Sequence, residues 1–355
     1  VNNDACYPSI LVIGELISAL QSGKYDLDKT AVIISQTGGS CRATNYLGFL
    51  RKAIRDAGFE KIPIISLNTA GFEKQPGFSL SLSFIHKALI AVSYGDLLMK
   101  LLYRTRPYEV NYGESDKIYK KWNQLVIPNI YNGKISQFKK NIKSIINDFS
   151  NIEITNEEKI KVGIVGEILV KFSPFANNNL AAFIEQEGGE VYTSSLMNFI
   201  KYCIYSDIYL NEKFKGKLSS IFLRSALWVL DKYTNIVNSA LSENSRFSKE
   251  TSIQKTAEKT SRFISIGHQS GEGWFLMGEM IEFIEEGIPN IVCVQPFGCL
   301  PNHITGKGMI KRLKEEYENV NITPIDYDPA YSEVNQLNRI KLMLSVAKKN
   351  LKKSS

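Results

Sequence analysis

Residues 290–303 read NIVCVQPFGCLPNH, and this stretch decides the fold class. Its first part, 290–295, is a short apolar run rich in β-branched residues, as expected of a strand buried on both faces. Pro296 and Gly298 then punctuate the chain. Helical spacing follows over 303–317. Strand, tight turn and helix together make the building unit of a parallel α/β sheet. Cys299 sits in the turn.

The same unit recurs along the chain. Residues 31–35 form a β-branched run that ends at Gly38-Gly39, and a helix is expected over 42–57, closed by Gly58. A helix over 9–22 precedes that strand, and residues 62–67 form another strand. Residues 79–150 change character, with long amphipathic stretches at 81–103 and 115–148. A second unit opens with the strand 161–165, continues with a helix near 178–187 and a strand near 190–193, and is mostly helical over 196–260. A strand at 262–266, helix 274–286, strand 290–295, helix 303–317, strand 321–326 and helix 334–350 complete the pattern. The expected fold is α/β, with two or three Rossmann-like parallel-sheet units carrying helical insertions. Residues 1–150 form one unit with its insertion, and 151–355 form a second region of one or two sub-units ending in a helix.

Composition narrows the function classes. The chain of 355 residues is 44% hydrophobic and 22% charged, which excludes disorder, collagen and coiled coil. Lys plus Arg number 43 and Asp plus Glu 36, a net charge of +7. That mild bias suits an anionic substrate and is too weak to indicate nucleic acid. The apolar runs read as shorter than the roughly 20 residues of a membrane span, and no signal peptide is visible. The start at Val1 reads as a chain cut from a longer polypeptide or processed. Five cysteines are too few for a disulfide framework. A reducing cytoplasm is the expected compartment, where cysteines serve as core residues, catalytic groups or metal ligands.

The five cysteines divide by position. Cys41 and Cys299 each lie between a strand and a helix, and Cys6 lies just before a helix. Cys6-Tyr-Pro8 and Cys299-Leu-Pro301 share a Cys-x-Pro form. All three positions fit the C-terminal edge of a parallel sheet, where α/β proteins gather their sites. A helix N-terminus there favours thiolate. Cys203 and Cys293 fall inside apolar segments and read as core. Two readings of the first three stay open: loop thiols with no shared role, and a Cys3His zinc site completed by His303. No P-loop, dinucleotide fingerprint or nucleophile elbow is present.

Several segments together resemble the 2-hydroxyacyl-CoA dehydratase component superfamily, in its branch of activase-related large proteins. They are ACYPS (5–9), QTGGSCRATNY (36–46), KVGIVGEILVKFSPFANNNL (161–180), GEGWFLMGEM (271–280), VQPFGCLPNHITGKGMIK (294–311) and IDYDPAYSEVNQLNRIKLML (325–344). The resemblance implies stacked Rossmann-like domains holding a [4Fe-4S] cluster on Cys6, Cys41 and Cys299, with the fourth iron open to a small ligand or substrate. Such clusters are often lost in air, and the family's setting is anaerobic. The resemblance further implies an actin-like ATPase activase as electron donor, an acyl-CoA as substrate and a radical dehydration or related reduction. Glu167 and Lys171 match the family's G-E-x-x-x-K segment as candidate catalytic residues; a capping carboxylate and a surface lysine are the plainer alternatives. Gly271-Glu-Gly273 reads as a tight turn or a lid. Two departures stand out: five cysteines cannot hold the six-cysteine double-cubane cluster of some members, and the activase itself is not recognisable in this chain. A homo-oligomer is among the expected partners, and neither nucleic acid nor membrane is. The alternative function is a non-catalytic, zinc- or cluster-stabilised binding module of a larger activase-related protein.

Overall fold

The computed structural model describes residues 5–37, 40–68, 81–215, 217–244, 246–330 and 332–354. Gly38 and Gly39, expected in the turn after the first strand, lie outside these residues. The chain is α/β, with two parallel sheets and helical insertions.

The first unit comprises α1 (Tyr7–Gln21), β1 (Val32–Gln36), α2 (Tyr46–Asp56) and β2 (Ile64–Asn68). Pro8 lies in the first turn of α1, where a missing N–H costs nothing. β1 and β2 pair in parallel, from Val32 opposite Ile64 to Gln36 opposite Asn68. Ile13 and Leu20 of α1 and Leu47, Leu50 and Ile54 of α2 close over Val32 and Ile34 as a small core of their own.

Four helices follow: α3 (Leu82–Thr105), α4 (Glu114–Leu125), α5 (Ile127–Asn132) and α6 (Ile135–Ser150). The single amphipathic stretch expected over 115–148 is three helices, because Pro128 starts a new one and Gly133, at φ 68°, ends it. With its one-turn extension, α3 is long and apolar enough to cross a membrane, in contrast to the expectation that no run would be. Its Ile90, Tyr94, Leu97, Leu98 and Leu101 are buried against Phe138, Ile142, Ile145 and Phe149 of α6.

The chain continues through β3 (Ile160–Gly166), α7 (Ile168–Phe172), α8 (Leu180–Gln186), β4 (Gly189–Thr193), α9 (Leu196–Leu210), α10 (Lys217–Leu241), α11 (Ile253–Ser261), α12 (Gly273–Glu285), β5 (Asn290–Pro296), α13 (Ile310–Glu316), β6 (Asn321–Tyr327) and α14 (Glu333–Ser354), and its four strands form the second sheet. Strand order is β4-β3-β5-β6, all parallel. Every residue of β5 is buried, as the apolar run at 290–295 implies. Residues 273–283 of α12 are likewise buried all round, since Leu276 and Met280 face the sheet while Trp274 and Phe275 face α9. Leu230, Tyr233 and Leu241 of α10 share a core with α3 and α6, so helices on both sides of residue 150 pack as one layer.

Two further expected elements differ. Residues 262–266 are turns and not a strand: the N–H groups of Phe263 and Ile264 both bond back to the Thr260 carbonyl, closing the end of α11. Phe263 then stacks on Tyr317 at 6.0 Å instead of entering the sheet. The helix expected over 303–317 begins as a wide turn at Asn302–Gly306 and a tight one at Lys307–Met309 before α13. A wide helical turn of this kind frequently marks a functional position.

The chain turns out of β3 at Gly166, whose φ is 141°. A side chain there would run into the Val294 carbonyl of β5, and that carbonyl accepts from Glu167 N–H at 3.0 Å. Gly166→Ala is expected to cost about 3 kcal/mol through backbone strain and the clash. Urea unfolding measures it; a variant as stable as the parent would show that the strand end relaxes freely.

Candidate metal centre

The chain leaves β3 for β4 on one side and returns to β5 on the other. The crevice beyond the C-terminal ends of β3 and β5 is therefore a topological switch point, where open α/β sheets bind ligands. Glu167 follows β3 and Cys299 follows β5. The first unit brings two more thiols. Cys6 is the cap of α1, and Cys41 caps the short turn leading into α2.

The three thiols share one electrostatic neighbourhood. Cys6 interacts with Cys41, and Cys299 with Cys6. All three are partly exposed. Each sulfur also has its own side-chain hydrogen-bond partner. Tyr46 Oη lies 3.2 Å from Cys6 Sγ, Thr37 bonds Cys41, and Asn302 Nδ2 donates to Cys299 Sγ at 3.2 Å. Burial pushes Cys6 up to about 11 and Cys299 up to about 12, and raises Cys41. The expectation that helix N-termini make these groups thiolates is thus overturned: desolvation outweighs the helix ends, and the free thiols keep their protons. A metal or cluster binding here must displace them.

Glu167 accepts from Val170 N at 2.8 Å and caps α7. It is half-buried beside Glu272, a buried carboxyl that sequence reasoning passed over as part of a glycine turn. Burial raises both carboxyls, and Glu272 raises Glu167 further. Glu272 interacts with Cys41 and Cys299, and Glu167 with Cys6 and Cys41. Two carboxyls able to hold a proton therefore flank the three thiols.

Lys171 is not a surface lysine. Its side chain is fully buried, and Nζ donates to Glu279 Oε1 at 2.7 Å and Ser194 Oγ at 2.9 Å. It ties α7 to α12. The turn before α12 is pinned as well. The Tyr202 hydroxyl reaches the carbonyls of Gln269 and Gly271, and Gly271 and Gly273 take φ values of 60° and 44°. This matches the tight turn of the two readings.

His303 does not complete a Cys3His set. Nδ1 donates to the Cys299 carbonyl at 2.8 Å, and Nε2 lies 3.6 Å from Asp326 Oδ1. Its ring is engaged by its own turn and by β6. Cys293 is fully buried in β5, and Cys203 packs on the core between α9 and α12. Among the described residues, no three His, Cys, Asp or Glu side chains are closed to the spacing of a single bound ion.

The donor set nevertheless suits an iron–sulfur cluster. Three soft thiol ligands come from three separate turns, each with a hydrogen bond to its sulfur, and partial exposure leaves a way in. Gly298, at φ 66°, leaves open space beside Cys299, with Arg42 Nη2 the nearest atom at 4.0 Å from where a Cβ would stand. Comparison of the chain with protein-family models, curated proteins and solved structures finds no match.

Proposed function

We propose that this chain is a [4Fe-4S]-cluster protein of the 2-hydroxyacyl-CoA dehydratase type, working in a reducing cytoplasm. In this reading Cys6, Cys41 and Cys299 ligate the cluster, an ATP-dependent activase supplies one electron, and an acyl-CoA is the substrate of a radical dehydration or related reduction. What supports the reading is that three partly exposed thiols, carried on three separate turns, lie within electrostatic range of one another, each with a hydrogen-bond partner on sulfur. When bound, the cluster supplies a strong one-electron donor, which a thioester carbonyl requires before a neighbouring C–O bond becomes labile.

The residues of the chain do the rest. Tyr46, Thr37 and Asn302 orient the sulfurs and take up part of their charge. Glu167 and Glu272 sit within range of the same sulfurs, and burial favours their protonated forms. Either can give a proton to an oxygen leaving from a substrate in the crevice. Lys171 acts as a positioning residue, because its pair with Glu279 holds the helix that Glu167 caps. The net charge of +7 suits the phosphates of a coenzyme A ester.

Anaerobic reconstitution followed by iron, sulfide and zinc analysis tests the reading. Expected are about four irons and as many sulfides per chain, with a broad absorption band near about 400 nm. One zinc without sulfide would overturn it in favour of a metal-stabilised binding module.

A further inference from the structure

The three sulfurs are not held alike. The partners of Cys6 and Cys41 both lie within the first unit. The Asn302 amide nitrogen carries two hydrogens: Nδ2 donates to Cys299 Sγ at 3.2 Å and to Glu272 Oε2 at 2.7 Å. Glu272 Oε1 in turn accepts from the Ile168 N–H at 3.2 Å. Ile168 follows β3, Glu272 precedes α12 and Asn302 follows β5. One side-chain amide thus ties three loops of the switch point to one sulfur.

The way Asn302 is buried argues that this arrangement serves more than packing. The residue is fully buried, and its Oδ1 has no hydrogen-bond partner. An orphaned buried carbonyl destabilises the fold, and an apolar side chain of similar shape would avoid that. What an apolar side chain could not supply is the pair of N–H groups on Nδ2.

We infer that Asn302 is a positioning residue for Cys299: its amide hydrogens, shared between Sγ and Glu272, fix the sulfur's direction and raise the reduction potential of the cluster it ligates. The inference rests on the proposed metal centre. A hydrogen bond to a ligand sulfur stabilises the reduced state more than the oxidised one, because reduction adds negative charge to the cluster and its thiolates. Glu272, anchored on Ile168, keeps the amide from rotating away.

The test uses the full chain, reconstituted anaerobically, in four forms: wild type, Asn302→Leu, Asn302→Ala and Asn302→Ser. Leucine keeps the volume without a donor, alanine removes the group, and serine keeps a hydroxyl that can donate. All four should hold the same iron. The midpoint potential of the leucine and alanine variants should be more negative than that of wild type, with a changed electron-spin signal of the reduced cluster. The serine variant should move back toward wild type. Alanine guards against a leucine variant that fails to fold. If wild type loads iron and the alanine variant keeps its potential and signal, the inference falls and the proposed centre stands. The inference also falls if serine is displaced as far as alanine. A wild type that holds no iron takes down the proposed centre and the inference with it.

Discussion

Bound iron is expected to disappear in Cys6→Ala, Cys41→Ala and Cys299→Ala and to persist in Cys203→Ala and Cys293→Ala, when each variant is reconstituted anaerobically and its iron counted per chain. The first three thiols lie within electrostatic range of one another, each with a hydrogen-bond partner on sulfur. Removing any one leaves two ligands, too few to retain a cubane against loss to solvent. The other two have different surroundings. Cys293 lies in β5 among Leu276, Met277 and Ile291, and a Cβ built on Gly306 would stand 3.2 Å from its sulfur. Its truncation opens a small cavity and should cost about 1–2 kcal/mol in the apo-protein, read as a lower unfolding midpoint. Cys203 should behave similarly with a smaller cost, because it is only partly buried. Iron therefore tracks one group of cysteines and thermal stability the other. Full iron in Cys41→Ala, or iron lost from Cys203→Ala alone, sinks the ligand assignment.

The places of the cysteines in the fold were legible because they depend on local pattern. A β-branched run, a glycine and a cysteine before helical spacing place a thiol at the end of a strand, and residues 290–303 fold that way. The same locality explains the failures. Residues 262–266 are apolar enough for a strand, but Thr260 had already claimed their N–H groups for the end of α11, and Phe263 found Tyr317 far along the chain. The thiolate expectation used only the helix ends and could not see how deeply the surrounding loops bury the sulfurs. Glu272 was hidden for a related reason. Its partners Ile168 and Asn302 lie 104 and 30 residues away, and nothing between two glycines signals a buried carboxyl. The signal that could have found it is the apolar helix that follows, since a helix buried all round drags its first residue inside with it. Lys171 could have been suspected the same way, from its place after Ile168, Leu169 and Val170.

Lys171→Met is expected to lower the unfolding free energy by about 3–5 kcal/mol, the usual consequence of leaving one member of a buried ion pair alone. Both side chains of the Lys171–Glu279 pair are shielded from water, at 0% and 1% exposure. Ser194 bridges the two, donating to Glu279 and receiving the lysine. Glu279 Oε2 has no partner of its own, so without Lys171 the carboxylate keeps only a serine hydroxyl. The double variant Lys171→Met, Glu279→Leu removes both charges and should regain most of the loss, because a buried pair exchanged for apolar groups is often neutral. Urea unfolding of the single and double variants measures this, and a single variant within about 1 kcal/mol of wild type would show that water reaches Glu279. The comparison also bears on the metal centre. The pair joins α7, which Glu167 caps, to α12, which Glu272 precedes. In the double variant the fold is restored while that link is gone. If the link only stabilises, the double variant loads iron as wild type does. If it sets how Glu167 and Glu272 flank the thiols, the double variant is stable yet releases iron to a chelator faster than wild type, and stability and iron retention separate.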